Sequence, residues 1–373
     1  MALFKKQLMT RTFVQFLFFG IVIYIGIAFS LFVFLIEKGL LPGFERPPGV
    51  EAFLPISALV SLKYFLFTGT INSIHPAALV LFLIICTTAL LAKKGFCSWV
   101  CPVGLLSETL AKSHFSIFKK GLSLPSWLDM ILRSLKYILA GFFIWSVFFT
   151  MPISVVEQFI HSPYNRFADI KMLKFFIPMS GTVLTVLLVL FVLSVIIRNF
   201  WCRYLCPYGA LIGVIGFFSI GKIRRDDSHC THCGRCERAC QGQIKIREKE
   251  LVQSLECTAC LECIKTCPEK DAIGFTLLSG KIPLNQKTLG LSFILLFAIG
   301  ISIAKLSGNW QNEISNDEYL HYGIQSSVPF ISDERIDPEK MEKMMSMMKN
   351  MEAQKSRRTE SLKQKDEDHA HSR

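Results

Sequence analysis

Five stretches of this chain are apolar and uncharged over lengths that cross a lipid bilayer. Residues 13–36, 74–92, 137–156, 175–197 and 288–304 contain no Asp, Glu, Lys or Arg. A spanning helix takes about 20 residues, with a range of about 17–25. The expected fold class is therefore an α-helical integral membrane protein of about five spans. Two further apolar stretches read differently. Residues 53–70 carry Lys63 and read as an interfacial or re-entrant piece; residues 208–221 are rich in Gly and too short to span. The first span is too long for a signal peptide, and no small-residue cleavage site follows it. Composition agrees: 51% of the 373 residues are hydrophobic and 19% are charged. That excludes a disordered chain and a single soluble domain.

Positive charge sets the orientation of such a bundle. The net charge is +12, but the Lys and Arg flank apolar runs instead of forming a stripe, so lipid and not nucleic acid is the expected partner. Lys5, Lys6 and Arg11 precede the first span. Lys93, Lys94, Lys112, Lys119 and Lys120 follow the second, with Arg133 and Lys136 beside the third. Arg198, Lys222, Arg224 and Arg225 follow the fourth. The intervening loops are poorer in Lys and Arg and carry Glu37, Glu45 and Glu51. The N-terminus and the loops after spans two and four are thus expected on the cytoplasmic side of a bacterial inner membrane. The tail from about residue 307 is expected outside.

Of the 13 Cys, 12 fall into regular clusters. In a long, mostly apolar chain such spacings point to metal and not to a secreted disulfide scaffold. The segment Lys93-Lys94-Gly95-Phe96-Cys97-Ser98-Trp99-Val100-Cys101-Pro102-Val103-Gly104 recurs as Arg198-Asn199-Phe200-Trp201-Cys202-Arg203-Tyr204-Leu205-Cys206-Pro207-Tyr208-Gly209, at an offset of 105 residues. Each copy follows a span that runs inward, so the pattern reads as a parallel duplication of a two-span hairpin. Cys at i and i+4 share a helix face, and the Pro can start a new helical turn without wasting an amide donor. Two pairs meeting at a pseudo-two-fold axis would present four thiolates, Cys97, Cys101, Cys202 and Cys206. That set suits an Fe–S cluster or a soft metal such as Cu(I). The open readings are a redox centre, a transient metal or thiol relay, a structural role, or plain apolar burial, which is common for free Cys. Cys86, alone in a span, reads as core packing.

Between the fourth and fifth spans the chain reads Cys230-x2-Cys233-x2-Cys236-x3-Cys240, then Cys257-x2-Cys260-x2-Cys263-x3-Cys267-Pro268. This is the two-cluster ferredoxin spacing, in which the fourth Cys of each run ligates the other cluster. Cys230, Cys233, Cys236 and Cys267 are expected to hold one [4Fe–4S] cluster, and Cys257, Cys260, Cys263 and Cys240 the other. Zinc also uses pairs of Cys, but eight in this order favour iron. Gln241 stands after Cys240 where the pattern expects Pro.

At these residues the chain resembles the NapH/NosR/YccM-type membrane-bound polyferredoxins, and more distantly the CcoG type. The likeness covers roughly residues 70–310. Its carriers are Phe96-Cys97-Ser98-Trp99-Val100-Cys101-Pro102, the run from Trp201 to Ala210, and the double cluster motif. The resemblance implies an electron carrier linked to a quinol or a flavoprotein, feeding a respiratory reductase or a redox maturation system. CcoG-type proteins are associated with copper reduction for oxidase assembly. The outer flavin domain of the NosR type and the immunoglobulin-like domain of the CcoG type are not found here.

The expected organisation is a membrane bundle with both Cys-x3-Cys-Pro repeats (1–221), a small α+β two-cluster ferredoxin insert on the cytoplasmic side (222–280), a last span (281–306) and a polar, Met-rich, partly disordered tail (307–373). In that tail Met341, Met344, Met345 and Met348 would suit Cu(I), or else form one face of an amphipathic helix, since they fit i, i+3, i+4, i+7. His75 and His161, at the outer ends of spans two and three, would accept protons at a quinol site or simply be interfacial His. No Walker loop, Gly-x-Gly-x-x-Gly or nucleophile elbow occurs, so ATP and NAD are not indicated. The expected function is iron–sulfur electron transfer between a membrane donor and a redox partner. The rival is a copper-reducing maturation factor for a respiratory cuproenzyme.

Overall fold

The computed structural model describes residues 2–118, 124–269, 271–278 and 282–327. Apolar sequence becomes helix, and proline decides where many of the helices start. The chain runs through α1 (Ala2–Glu37), α2 (Pro55–Thr68), α3 (Pro76–Ala92), α4 (Gly95–Trp99), α5 (Pro102–Phe118) and α6 (Ser126–Trp145), which ends in a π turn, Ser146–Thr150. It continues through α7 (Ile153–His161), α8 (Pro163–Arg166), α9 (Ala168–Phe176), α10 (Gly181–Ile196), a second π turn (Trp201–Leu205) and α11 (Pro207–Phe217). Prolines open α2, α3, α5, α8 and α11, where the missing N–H would be unpaired anyway.

Among the described residues, three helical segments are clearly long and apolar enough to span: Arg11–Glu37, Ser126–Thr150 and Gln286–Leu306. The pair α9 and α10, bent by 75°, makes a fourth if counted as one span. This is fewer than the five expected from sequence. The second expected span is α3, whose 17 residues stand at the lower end of the spanning range. The fourth is broken after Phe176, where Pro178 cannot continue a helix; Ser180 then caps α10 by accepting from the Val183 amide at 3.3 Å. The third begins at Ser126, well before residue 137. Charges that marked its edge are paired inside the protein. Lys136 Nζ lies 2.7 Å from Glu256, and Arg133 lies 3.0 Å from Asp129.

Lys63 has a packing role. It is buried in α2 and donates to the carbonyls of Val147 and Phe148 at 3.0 Å each, and to that of Met151. It therefore caps the end of the α6 π turn, whose carbonyls have no helical partner. Along α10, Leu184, Val186, Leu188, Val189, Phe191 and Val192 all face outward. An apolar surface of this extent calls for lipid and places the protein in a membrane.

The insert follows α11. It contains β1 (Gly221–Arg225), α12 (Arg235–Ala239), β2 (Leu251–Val252), α13 (Glu262–Thr266), β3 (Ile273–Leu277) and β4 (Ile282–Pro283). The strands form one antiparallel sheet in the order β2-β1-β3-β4, with Ile223 opposite Phe275 and Arg225 opposite Ile273. Ile223 and Phe275 are buried and join a core that also contains Trp99, Ala89, Phe293 and Phe297. Phe293 and Phe297 come from α14 (Gln286–Leu306), so bundle and insert share one core. A second compact unit comprises residues 25–50 and the segment from Glu313, which holds α15 (Asn316–Ser327). Inside it Phe32 meets Phe44 and Tyr319 edge-on, at 6.2 and 5.4 Å between centroids.

Trp99 is the pin of the shared core. It is fully buried, packs on Phe293 at 5.6 Å and donates its indole N–H to the Ala259 carbonyl at 3.0 Å. Trp99→Ala is expected to cost about 3–5 kcal/mol through the cavity it leaves, read as a lower unfolding temperature in detergent. Trp99→Phe keeps most of the packing and removes the hydrogen bond, so it should cost about 1–3 kcal/mol.

Candidate functional site

The two Cys-x2-Cys-x2-Cys loops of the insert share an unusual backbone. His232 and Gly234 in the first loop have φ of 52° and 70°; Ala259 and Leu261, at the matching positions of the second, have φ of 48° and 61°. Three of these four are not glycine, and each such residue costs about 1–2 kcal/mol in this region. Successive turns of this kind aim backbone N–H groups inward and build an anion-binding concavity. The strain is thus spent on a loop shape suited to a negatively charged group held by sulfur.

The helices that follow cross-connect the loops. α12 carries Cys236 and leads into Cys240, α13 carries Cys263 and leads into Cys267, and the two helices pack together. Cys240, Cys257, Cys260 and Cys263 line one cavity, together with Ala259 and Leu261. Cys267 lies beside Cys236 of the first loop. The fourth Cys of each run thus stands near Cys of the other run. The two sites differ in depth: Cys240 and Cys263 are buried, whereas Cys233 is exposed.

The quartet of the repeats is also gathered. Cys97, Cys101, Cys202 and Cys206 line a single cavity of about 140 Å³. Each Cys-Pro turn starts a helix whose first amides face the sulfur. Gly209 N–H donates to Cys206 Sγ at 3.3 Å, and the amides of Gly104 and Val103 donate to the Cys101 sulfur. A helix N-terminus stabilises negative charge on sulfur. A Cβ on Gly104 would run into the carbonyl of Cys97, while one on Gly209 would lie 3.8 Å from that of Cys202, in ordinary contact. Burial pushes the Cys101 thiol up to about 11 and the Cys202 thiol up to about 12. Cys97 rises well above its usual value for the same reason. Metal binding at these sulfurs would therefore release protons.

The quartet cavity and the buried insert site share a wall made of Gln241, Gly242 and Thr258. Polar contacts fix this wall. The Lys94 amide donates to the Cys257 carbonyl at 3.1 Å, Ser98 Oγ to Thr258 O at 2.6 Å, and Arg203 Nη1 to Gly242 O at 2.9 Å. Arg203 is itself held by Asp129 through two contacts of 2.8 and 2.9 Å, and Tyr204 donates to the same carboxylate at 2.7 Å. Gln241, the departure from the proline pattern, hydrogen-bonds Glu108. Glu108 also pairs with Arg11 of α1.

Sequence reading missed the charges around this wall. Lys93 and Lys94, taken as flanking positive charges, are 1% and 4% exposed. Lys94 Nζ lies 3.1 Å from Glu256, and Lys136 Nζ and Tyr137 Oη each lie 2.7 Å from the same carboxylate. Burial would lift the Glu256 carboxyl, but the two lysines hold it down at about 2. Burial would likewise lower the Lys94 ammonium, yet Glu256 and Cys97 outweigh it and raise it. No local signal in the sequence reveals such partners, because they lie 120 to 162 residues away.

His75 is buried against Asn165 O at 2.6 Å and Glu51 at 3.5 Å, while His161 is exposed. Met341, Met344, Met345 and Met348 lie outside the described residues. Among the described residues no three His, Cys, Asp or Glu side chains gather tightly enough for a single metal ion. The sulfurs instead line cavity walls, rich in soft donors and amides, and this donor chemistry fits an iron–sulfur core of several atoms.

A family model described as a 4Fe-4S binding domain matches residues 74–125 and 179–225, which hold the two Cys-x3-Cys-Pro repeats. Another, described as a 4Fe-4S dicluster domain, matches residues 222–268. The chain is 40% identical over 313 residues to the putative electron transport protein YccM of Escherichia coli, covering 82% of this chain and 87% of that protein. It is 31% identical to the ferredoxin-type protein NapH of Haemophilus influenzae, over 58% of this chain and 72% of that protein. It is 27% identical to the methylamine utilization ferredoxin-type protein MauN of Methylorubrum extorquens, over 50% of this chain and 59% of that protein. No solved structure matches the chain.

The two Cys-Pro turns differ in one testable respect. Gly104→Ala must displace the Cys97 carbonyl and is expected to loosen whatever the quartet holds. Gly209→Ala meets only ordinary contacts and should be tolerated. Iron content per chain and thermal stability of the two variants, compared with wild type, measure the asymmetry.

Proposed function

Because this chain belongs to the family of 4Fe-4S ferredoxin-type electron-transport proteins that includes YccM, we propose that it carries electrons between a membrane donor and a soluble partner through three sites. The first site is the quartet Cys97, Cys101, Cys202 and Cys206. The second is Cys240, Cys257, Cys260 and Cys263, and the third is Cys230, Cys233, Cys236 and Cys267. Iron–sulfur clusters at these sites supply one-electron carriage, and the protein sets their depth, order and surroundings.

One observation carries the reading: the quartet, drawn from two segments 105 residues apart, lines a cavity that shares Gln241, Gly242 and Thr258 with the buried insert site. That juxtaposition supports the quartet as the membrane-side terminal. The exposure of Cys233 supports the third site as the terminal toward a partner. The remaining residues serve the order of the sites. Ser98, Trp99 and Arg203 bind the loops that carry the ligands, and Arg11 with Glu108 ties α1 to α5 beside them. The donor class is a quinol or a flavoprotein. Arg198, Lys222 and Arg224 support a cytoplasmic position for the insert.

The test uses the full-length protein, purified anaerobically in detergent and reduced either by a soluble quinol or by a reduced flavin. Electron paramagnetic resonance follows the insert signals. In Cys97→Ser/Cys202→Ser, dithionite should still reduce the insert, but reduction by the membrane-type donors should be lost. Reduction at the wild-type rate would overturn the order of the sites.

A further inference from the structure

Three lysines lie buried near the quartet cavity and the buried insert site, Lys93, Lys94 and Lys136, and one carboxylate serves two of them. Lys94 and Lys136 share Glu256 at 3.1 and 2.7 Å. Two cations on one carboxylate leave one positive charge over, in a pocket where Lys136 is fully buried and Glu256 is 7% exposed. Tyr137 donates to the same carboxylate and supplies no charge. Lys94 also lines the quartet cavity and interacts electrostatically with Cys97 and Cys206.

Lys93 turns the other way. Its ammonium is buried and has no hydrogen-bond partner among the described residues. It sits 6.0 Å above the Phe217 ring and interacts with Cys257, with Lys222 as a like charge nearby. An uncompensated buried cation is costly, and its cost falls when an anion occupies the adjacent space. Thiolate-ligated iron–sulfur cores are anionic; Lys94 lines the cavity of one set of four Cys, and Lys93 interacts with Cys257, which lines the cavity of the other.

We propose that Lys93 and Lys94 divide the work of charge compensation between two adjoining centres. Lys93 serves the one held by Cys240, Cys257, Cys260 and Cys263, and Lys94, backed by Lys136 through Glu256, serves the one in the quartet. The consequence is a specific control of potential. A nearby fixed positive charge stabilises the more negative, reduced state, so each lysine raises the potential of its own centre and acts less on the other. The adjacent lysines thus bias two centres independently, although they are neighbours in sequence. This inference rests on the reading of the quartet as a redox site for its Lys94 half only.

The experiment is a redox titration of full-length protein, followed by electron paramagnetic resonance, in wild type, Lys93→Met, Lys94→Met, Lys136→Met and Lys93→Arg, with iron per chain measured on each sample. Lys93→Met should lower the midpoint of one insert centre by at least about 59 mV, a tenfold change in its reduced-to-oxidised ratio for one electron. It should leave the quartet centre nearer its wild-type value. Lys94→Met should do the reverse. Lys136→Met leaves the neutral Lys94–Glu256 pair, so it is the safer variant for folding, and it too should lower the quartet midpoint. Lys93→Arg keeps the charge and should stay near wild type.

Unchanged midpoints in Lys93→Met and Lys136→Met would overturn the proposal, as would a Lys93→Arg shift as large as that of Lys93→Met, which would indicate packing and not charge. Wild-type iron sufficient only for the insert would overturn the quartet as a redox site and the Lys94 half with it. The Lys93 half would then stand or fall on its own midpoint.

Discussion

A single buried carboxylate, Glu256, holds the bundle and the insert in register. It stands one residue before Cys257 and receives Lys94 from the segment between α3 and α4, with Lys136 and Tyr137 from α6. In low-dielectric surroundings a cluster of this kind gains little over a well-packed apolar contact, but removing the carboxylate that both lysines share would leave their charges uncompensated and cost about 3–5 kcal/mol. Its value is therefore positional. It forces the first Cys of the second loop against the repeat that carries Cys97 and Cys101. The backbone bond from Lys94 to Cys257 O and the side-chain bonds of Ser98 and Trp99 then fix the remaining freedom.

The second repeat is fastened by a different device at the matching place. Arg203, between Cys202 and Tyr204, is gripped by Asp129 and reaches Gly242 O of the insert. A guanidinium fork can serve a carboxylate and a carbonyl at once, which a lysine cannot do with the same geometry. Both repeats therefore use a buried cation to lock onto the insert, one through Glu256 and the other through Gly242. Each also uses a Cys-Pro helix start to direct amides at sulfur. The outcome is one core that runs from the bundle through Trp99 into the sheet, with the sulfur sets placed along it.

Local patterns were readable in the sequence, and distant pairings were not. The Cys spacing of the insert fixes which residues of one run lie within a turn of one another, the two-cluster ferredoxin pattern assigns Cys240 to the second run, and Cys240 lines a cavity with Cys257, Cys260 and Cys263. The gathering of the repeat quartet followed from similarity between two segments. The number of spans did not follow. Lys136 and Arg133 looked like the edge of a helix because their partners, Glu256 and Asp129, depend on the folded chain. Lys93 and Lys94 were read as solvated flanks for the same reason, and they turn out to be buried. Pro178 was visible, but the 75° angle between the two helices on either side of it was not. The Met-rich segment lies outside the described residues and adds nothing to either reading.

The central claim is that the quartet is a third metal centre and not a set of buried thiols. The most direct measurement is iron and acid-labile sulfide per chain on anaerobically purified, detergent-solubilised protein, with copper assayed on the same sample. About twelve iron atoms and as many sulfides per chain are expected, four for each of three [4Fe–4S] clusters. About eight of each would confine iron to the insert and contradict the claim, and copper in that sample would assign the quartet to a soft metal instead.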